Sequence, residues 1–216
     1  MARKKAPDHD LQREQILDLA AAKFAERSYA STSMSDLAAA SGTSKARLYH
    51  YYASKDAILF DLLDRYTLRL MLIIAEVEAL GQRRNLGERE VFAELVRAFL
   101  REYETSQSRH VSLLNDVKYL LDEQRDKILN RQRDVVAAFS RQLARAYPNH
   151  VTAANRTPLT MMVFGMINWT FTWLKPDGPL GYGDFADHVV ALLDHGLVSQ
   201  ARDSLDASTP TTPAQP

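Results

Sequence analysis

The 216-residue chain predicts an all-α fold of about nine helices, with a three-helix N-terminal module followed by a larger helical domain. Three observations carry that prediction. Apolar residues recur at three- and four-residue intervals in segment after segment, and no stretch alternates with the two-residue period of a strand. The segments are separated by helix-stop residues at Gly42, Gly81 to Gly87, Pro148 and Lys175 to Pro179.

The first helix is expected over Gln12 to Arg27, where Ile16, Leu17, Ala20, Ala21 and Phe24 share a face. Ser33 to Lys55 then reads as two short helices joined by a tight turn. Ser33 precedes an apolar run and has Asp36 three residues later, the pattern of a cap whose acidic partner complements the helix dipole. Gly42 stands where the first of these helices needs a left-handed residue to end, and Ser44 can cap the second. Leu48 and Tyr52, four residues apart, face the small Ala-rich helix and leave Lys45, Ala46, Arg47 and His50 pointing outward. A short helix presenting these groups is suited to entering a DNA groove, with the turn motif spanning about 33–52.

Downstream, Ile58, Leu62, Tyr66, Leu70, Ile73, Val77 and Leu80 form one stripe from Lys55 to about Leu80, a candidate lever between module and body. A second stripe holds Val91, Phe92, Leu95, Phe99 and Tyr103, and a shorter segment holds Val111, Leu114, Asn115, Lys118 and Tyr119. Further helices are expected over Asp122 to Tyr147, Pro158 to Leu174 and Gly183 to Arg202. Met161 to Leu174 is apolar around most of its circumference, so it must be covered on nearly every side, as core, pocket wall and dimer contact together. Phe185, Val189, Leu192, Leu193 and Leu197 form the stripe expected to pair two copies of the chain. His188 and His195 lie seven residues apart and read as interface or surface residues, with no metal expected.

Charge is balanced, with 27 basic and 27 acidic residues, so no global basic field announces nucleic acid. The chain has no cysteine, which excludes disulfides and thiolate metal sites. HExxH, a Gly-rich phosphate loop and Gly-x-Ser-x-Gly are all missing; no catalytic residue is expected and the chain is read as not an enzyme. No segment approaches the ~18 uninterrupted apolar residues of a membrane span, and a cytoplasmic protein is expected. The linear organisation reads as a flexible basic arm at 1–9 carrying Arg3, Lys4 and Lys5, a DNA-binding domain at 10–55, a ligand-binding and dimerisation domain at 56–202, and a disordered tail at 203–216.

Residues 10–65 resemble the TetR-type transcriptional regulators. The resemblance is carried by Ile16-Leu17, Ala20-Ala21, Phe24-Ala25-Glu26, Tyr29, Thr32-Ser33-Met34, Leu37-Ala38, Gly42, Ser44-Lys45, Leu48-Tyr49-His50-Tyr51-Tyr52 and Lys55-Asp56. Two departures are Ser28, where Gly is usual before Tyr29, and Thr43, where an aliphatic residue is usual after Gly42. The resemblance implies a homodimer that binds a palindromic, double-stranded operator and represses a promoter. It implies phosphate contacts from Ser33, Tyr49, Tyr51 and Lys55, with Thr43 and Ser44 also at the DNA, and base reading by Lys45, Arg47 and His50.

The run Gly165 to Leu180 is also similar to the acyl-coenzyme A-responsive members of that group. That similarity implies no cofactor but an acyl-CoA or other apolar small-molecule effector. Phe99, Tyr103, Leu114, Asn115, Tyr119, Phe164, Asn168, Trp169 and Trp173 would surround it. Basic groups would serve its anionic end, drawn from Arg109, Lys118, Arg125, Lys127, Arg131 and Arg133. The alternative is a DNA-binding regulator or architectural protein without small-molecule control.

Overall fold

The computed structural model describes residues 6–175 and 177–206, with side-chain surroundings described for 9–175 and 177–196. The chain forms two compact units, 1–72 with 102–135 and 73–101 with 136–216, which cut across the linear division at residue 55. Among the described residues there are nine α-helices and no strand. They are α1 (Ala6–Arg27), α2 (Met34–Ala40), α3 (Lys45–Tyr51), α4 (Lys55–Arg84), α5 (Glu88–Thr105), α6 (Gln107–Asn115), α7 (Asp122–Ala146), α8 (Arg156–Asn168) and α9 (Tyr182–Asp206).

Helix α1 begins at Ala6, so residues 6–9 of the expected arm are helical, and α9 likewise takes in residues 203–206 of the expected tail. Arg3, Lys4 and Lys5, the tail from 207 onward and the side chain of Leu197 lie outside the described residues. Helix α4 continues past Leu80 through Gly81 to Arg84. Asn85 ends it at φ 51°, while Leu86 N–H donates to the Gly81 carbonyl at 3.0 Å. This is the left-handed stop usually given to Gly. Gly81 is required for a different reason, since a Cβ there would lie 2.6 Å from Val91 Cγ2 of α5.

In the first unit Ile16, Leu17, Phe24, Leu37, Leu48, Ile58, Leu62 and Tyr66 are buried, and in the second Phe92, Phe99, Phe139, Leu143, Phe164, Ile167 and Val189. Each such side chain contributes about 1.5–3 kcal/mol by leaving water. Helix α8 stops at Asn168, six residues short of the expected Leu174, and continues as a 3-10 turn over Thr170–Thr172. The run Trp169-Thr170-Phe171-Thr172-Trp173 explains the break, because aromatic and β-branched residues are poor in helices. The two Thr hydroxyls also donate back to the carbonyls of Ile167 and Trp169, at 2.9 and 2.7 Å.

Candidate nucleic-acid interface and effector region

The α2–α3 hairpin is set by its caps. Ser33 Oγ accepts from Asp36 N–H at 3.2 Å, and Ser33 N–H donates to the Asp36 carboxylate at 2.8 Å, closing a reciprocal cap. The Ser33 hydrogen bonds hold the Asp36 carboxyl below its ordinary value. Ser33 Oγ also donates to Asp36 at 2.6 Å. Gly42 turns the chain at φ 60°, with Gly42 N–H donating to Ala39 and Thr43 N–H to Ala38. Ser44 Oγ accepts from Arg47 N–H at 3.1 Å.

Leu48 and Tyr52 are buried as the spacing requires, and Lys45, Arg47, Tyr49 and His50 are exposed together on the opposite side of α3. Lys45 Nζ sits 6.0 Å from the centre of the Tyr49 ring, and Tyr51 is half-buried against His9 at 5.0 Å. His9 was not expected at this surface, because the start of the chain read as a tail rather than helix.

Lys55 is held within the fold. Its ammonium donates to the backbone carbonyls of Tyr29 and Thr32, both at 2.8 Å, and lies 4.1 Å from the centre of the Tyr29 ring. It therefore ties the loop between α1 and α2 to the start of α4. Tyr29 in turn donates its hydroxyl to Asp56.

Behind the hairpin runs an ion network that the sequence did not reveal. Asp61 accepts from Tyr52 at 2.6 Å, Arg13 at 2.8 Å and Arg65 at 3.0 Å, Arg65 continues to Glu14 at 2.6 Å, and Arg109 of α6 reaches Glu14 at 2.8 Å and Asp18 at 2.7 Å. Burial acts to raise the Asp61 carboxyl, but hydrogen bonds from Tyr52 and Arg65 with the Arg65 and Arg13 charges outweigh it and hold the group low. Glu14 follows the same pattern, burial being overcome by Arg109 and Arg65. The i,i+4 pairs Glu14/Asp18 and Asp61/Arg65 were visible in the sequence, but nothing there said that they face one another.

The residues expected around an effector divide between the units. In the first unit Tyr103 is buried and stacks on His110 at 3.8 Å, while Tyr119 stacks on Tyr29 at 5.0 Å, a contact within the fold. Leu114 is half-buried, Asn115 and Lys118 are exposed, and Lys118 lies 5.2 Å from the centre of the Tyr119 ring. The basic supply is largely engaged. Arg109 is held by α1 as described, Lys127 and Arg131 meet Asp64 at 2.9 and 2.6 Å, Arg125 meets Asp122 at 2.8 Å, and Arg133 bonds Asn130 at 2.5 Å.

In the second unit Phe99 and Phe164 pack with Phe139 at 5.3 and 4.9 Å as core. Trp169 and Trp173 are 58% and 51% exposed, and Asn168 is half-buried. The large apolar side chains exposed in the second unit are Met161 and Met162 of α8, Trp169 and Trp173 beside the 3-10 turn and Leu192 of α9. Val189 and Leu193, expected as dimer contacts, are instead buried at 0% and 7% because that stripe faces the unit's own core; Phe185 is half-buried, against Trp173 at 5.1 Å.

Residues 85–197, more than half of the chain, match the tetracyclin repressor-like C-terminal domain, and residues 16–62 match the bacterial regulatory proteins of the tetR family. The chain belongs to the TetR family. Membership places it among regulatory proteins rather than enzymes. It is similar to the HTH-type transcriptional repressor KstR2 of Rhodococcus jostii (strain RHA1), at 30% identity over 113 residues, 52% of this chain and 53% of that protein. It thus spans about half the length of that curated relative. A TetR-family transcriptional regulator from Bordetella parapertussis 12822 shares its structure with a TM-score of 0.80 at 34% identity, covering 87% of this chain and 96% of that one. AibR, solved with isovaleryl coenzyme A and operator DNA, has the same fold, with a TM-score of 0.72 at 24% identity over 84% of this chain and 97% of its own.

Proposed function

We propose that this TetR-family protein is a repressor that binds a palindromic operator as a homodimer and leaves it when a small apolar or acyl-CoA effector binds. The observation that carries the reading is the exposed face of α3, where Lys45, Arg47, Tyr49 and His50 stand together on a helix whose other side is buried. Arg47 is the base reader, since a guanidinium pairs bidentately with guanine O6 and N7, and Lys45 and His50 flank it. Thr43, Ser44, Tyr49 and Tyr51 supply hydroxyl donors to phosphates and set the register.

Two recognition helices must enter successive major grooves roughly 34 Å apart, so a dimer is needed. Its surface draws on the exposed apolar side chains Met161 and Met162 of α8, Trp169 and Trp173 of the segment after it and Leu192 of α9, residue types suited to an interface. Residues 10–55 then serve DNA and 56–202 serve pairing and effector. Among the described residues no helix is long and apolar enough to cross a membrane, in keeping with work at DNA in the cytoplasm.

Release follows from linkage: an effector that binds the off-DNA state better shifts the population by its differential affinity and no more. The acyl-CoA class is supported by AibR, which holds isovaleryl coenzyme A. Leu114, Asn115 and Asn168, each within its own unit, remain candidates for effector contact. The packed Phe99–Phe139–Phe164 core and the paired basic groups favour the second reading, a regulator without small-molecule control. Footprinting on the DNA upstream of the coding region, with and without acyl-CoA thioesters, separates the two. Release by a thioester supports the first, protection unchanged by any of them leaves the second, and no preference over random duplex at low salt defeats both.

A further inference from the structure

Helix α1 meets the tyrosines that end α3 at two successive turns. Arg13 Nε donates to the Tyr52 hydroxyl at 3.3 Å and Nη2 to Asp61 at 2.8 Å, with the guanidinium 5.0 Å from the centre of the Tyr52 ring. One turn earlier His9 shares that side of α1, and its ring lies 5.0 Å from the ring of Tyr51. The ring of His50 lies 5.9 Å from the same Tyr51 ring. Asp61 also holds Tyr52 and Arg65, so α1 cannot slide along α3 without breaking that network, and the position of His9 beside Tyr51 is fixed by it. The inner contact is tied to α4, whereas the outer one is open to water: the His9 side chain is 45% exposed and Tyr51 is half-buried.

Among the described residues, the charged groups about His9 are Asp10, Arg13 and His50. The Asp10 carboxylate is 4.0 Å from Nδ1 and 71% exposed, and Arg13 is already closed onto Asp61 of α4. An ion pair that long and that wet contributes little, so a charge on the imidazole is left for a partner outside the chain. We propose that His9 is a phosphate contact whose imidazole, once protonated, donates to a backbone oxygen of the duplex beside α3, so that the grip on DNA strengthens as the pH falls from about 8 to about 6. An imidazole changes charge between about pH 5 and 8, and a charged donor makes a hydrogen bond roughly twice as strong as a neutral one. Asp61 and Glu14, held low, stay ionised across this interval, so the brace behind the hairpin is unchanged while the imidazole titrates. A phosphate contact carries no sequence information, so the gain is the same on any duplex.

This inference rests on α3 facing DNA, and the test separates the two. The full chain is titrated onto a random-sequence duplex of roughly three helical turns and followed by fluorescence anisotropy over a salt series, at about pH 6 and about pH 8. Wild type is expected to bind more tightly at the lower pH, with a steeper fall of log affinity against log salt. His9→Gln keeps a neutral donor and should lose about one unit per protomer of that acid-induced steepening. His9→Arg carries a permanent charge and should show the steep dependence at both pH values. With its side chain half in solvent, His9 can be exchanged without disturbing the core, and both variants should melt as wild type does. A wild-type salt dependence that does not change with pH, or one that changes as much in His9→Gln, overturns the assignment and leaves the α3 surface standing. A chain that binds no duplex at low salt at either pH overturns both.

Discussion

The basic residues of α3 and those of α6 and α7 are chemically alike and differ in what already holds them. Lys45 and Arg47 stand in solvent and, among the described residues, are bound by no carboxylate, whereas Arg109, Lys127 and Arg131 are each closed onto Glu14, Asp18 or Asp64. A cation already balanced by a carboxylate has little left for a distant phosphate, so an inventory of partners separates a DNA surface from a brace where composition cannot. Lys55 stands between the two cases, carrying the charge of a phosphate contact and the bonding of a loop clamp.

The largest test removes the centre of the brace. Asp61 has a side chain 18% exposed, and Asp61→Ala leaves Arg13, Arg65 and the Tyr52 hydroxyl without their shared acceptor. Chemical denaturation should show a loss of about 3 kcal/mol. The same carboxyl sets a pH dependence. Asp61 and Glu14 are held below their ordinary values, so the stability they contribute is complete above the unfolded-state carboxylate value and is lost as pH falls through the folded-state values. Asp61→Asn should flatten that acid limb, and an unchanged limb would remove the network from the account.

On the α3 side, Arg47→Ala should lower operator affinity by about 1–3 kcal/mol in fluorescence anisotropy while random duplex is bound nearly as before. Equal losses on both would turn Arg47 into a phosphate contact. Lys55→Met should cost about 1.5 kcal/mol of stability from two charge-assisted bonds, seen in the melting temperature. If it instead left melting untouched and weakened all DNA alike, Lys55 would return to the phosphate side. The smallest effect is a gain. Ser28 ends α1 at φ 72°, where a side chain is strained, and Ser28→Gly should stabilise the chain by about 0.5–1 kcal/mol.

The hairpin was legible because its signals are local. Ser33, Asp36, Gly42 and Ser44 act within four residues of themselves, and the positions of Leu48 and Tyr52 follow from helical spacing alone. The effector and dimer residues were not legible in the same way. Val189 and Leu192 are both apolar and three residues apart, yet one is buried and the other 64% exposed, because an apolar stripe this wide does not say which of its edges meets the unit's own core. Tyr119 and Arg109 were assigned to an effector on residue type, and their partners Tyr29, Glu14 and Asp18 lie about ninety residues away in the chain.

By itself, the order of residues determined the helical class, the caps and turn of the DNA-reading hairpin and the outward set on α3, since all of these arise from interactions within a few residues. Only the tertiary structure decided that Lys55 and Arg109 brace the fold and that α9 turns His188, Leu192 and His195 to solvent while Val189 and Leu193 go inside. The physical reason is that a charged or apolar side chain states only what kind of partner it needs. Which partner it finds depends on segments far apart in sequence that packing brings within a few ångströms.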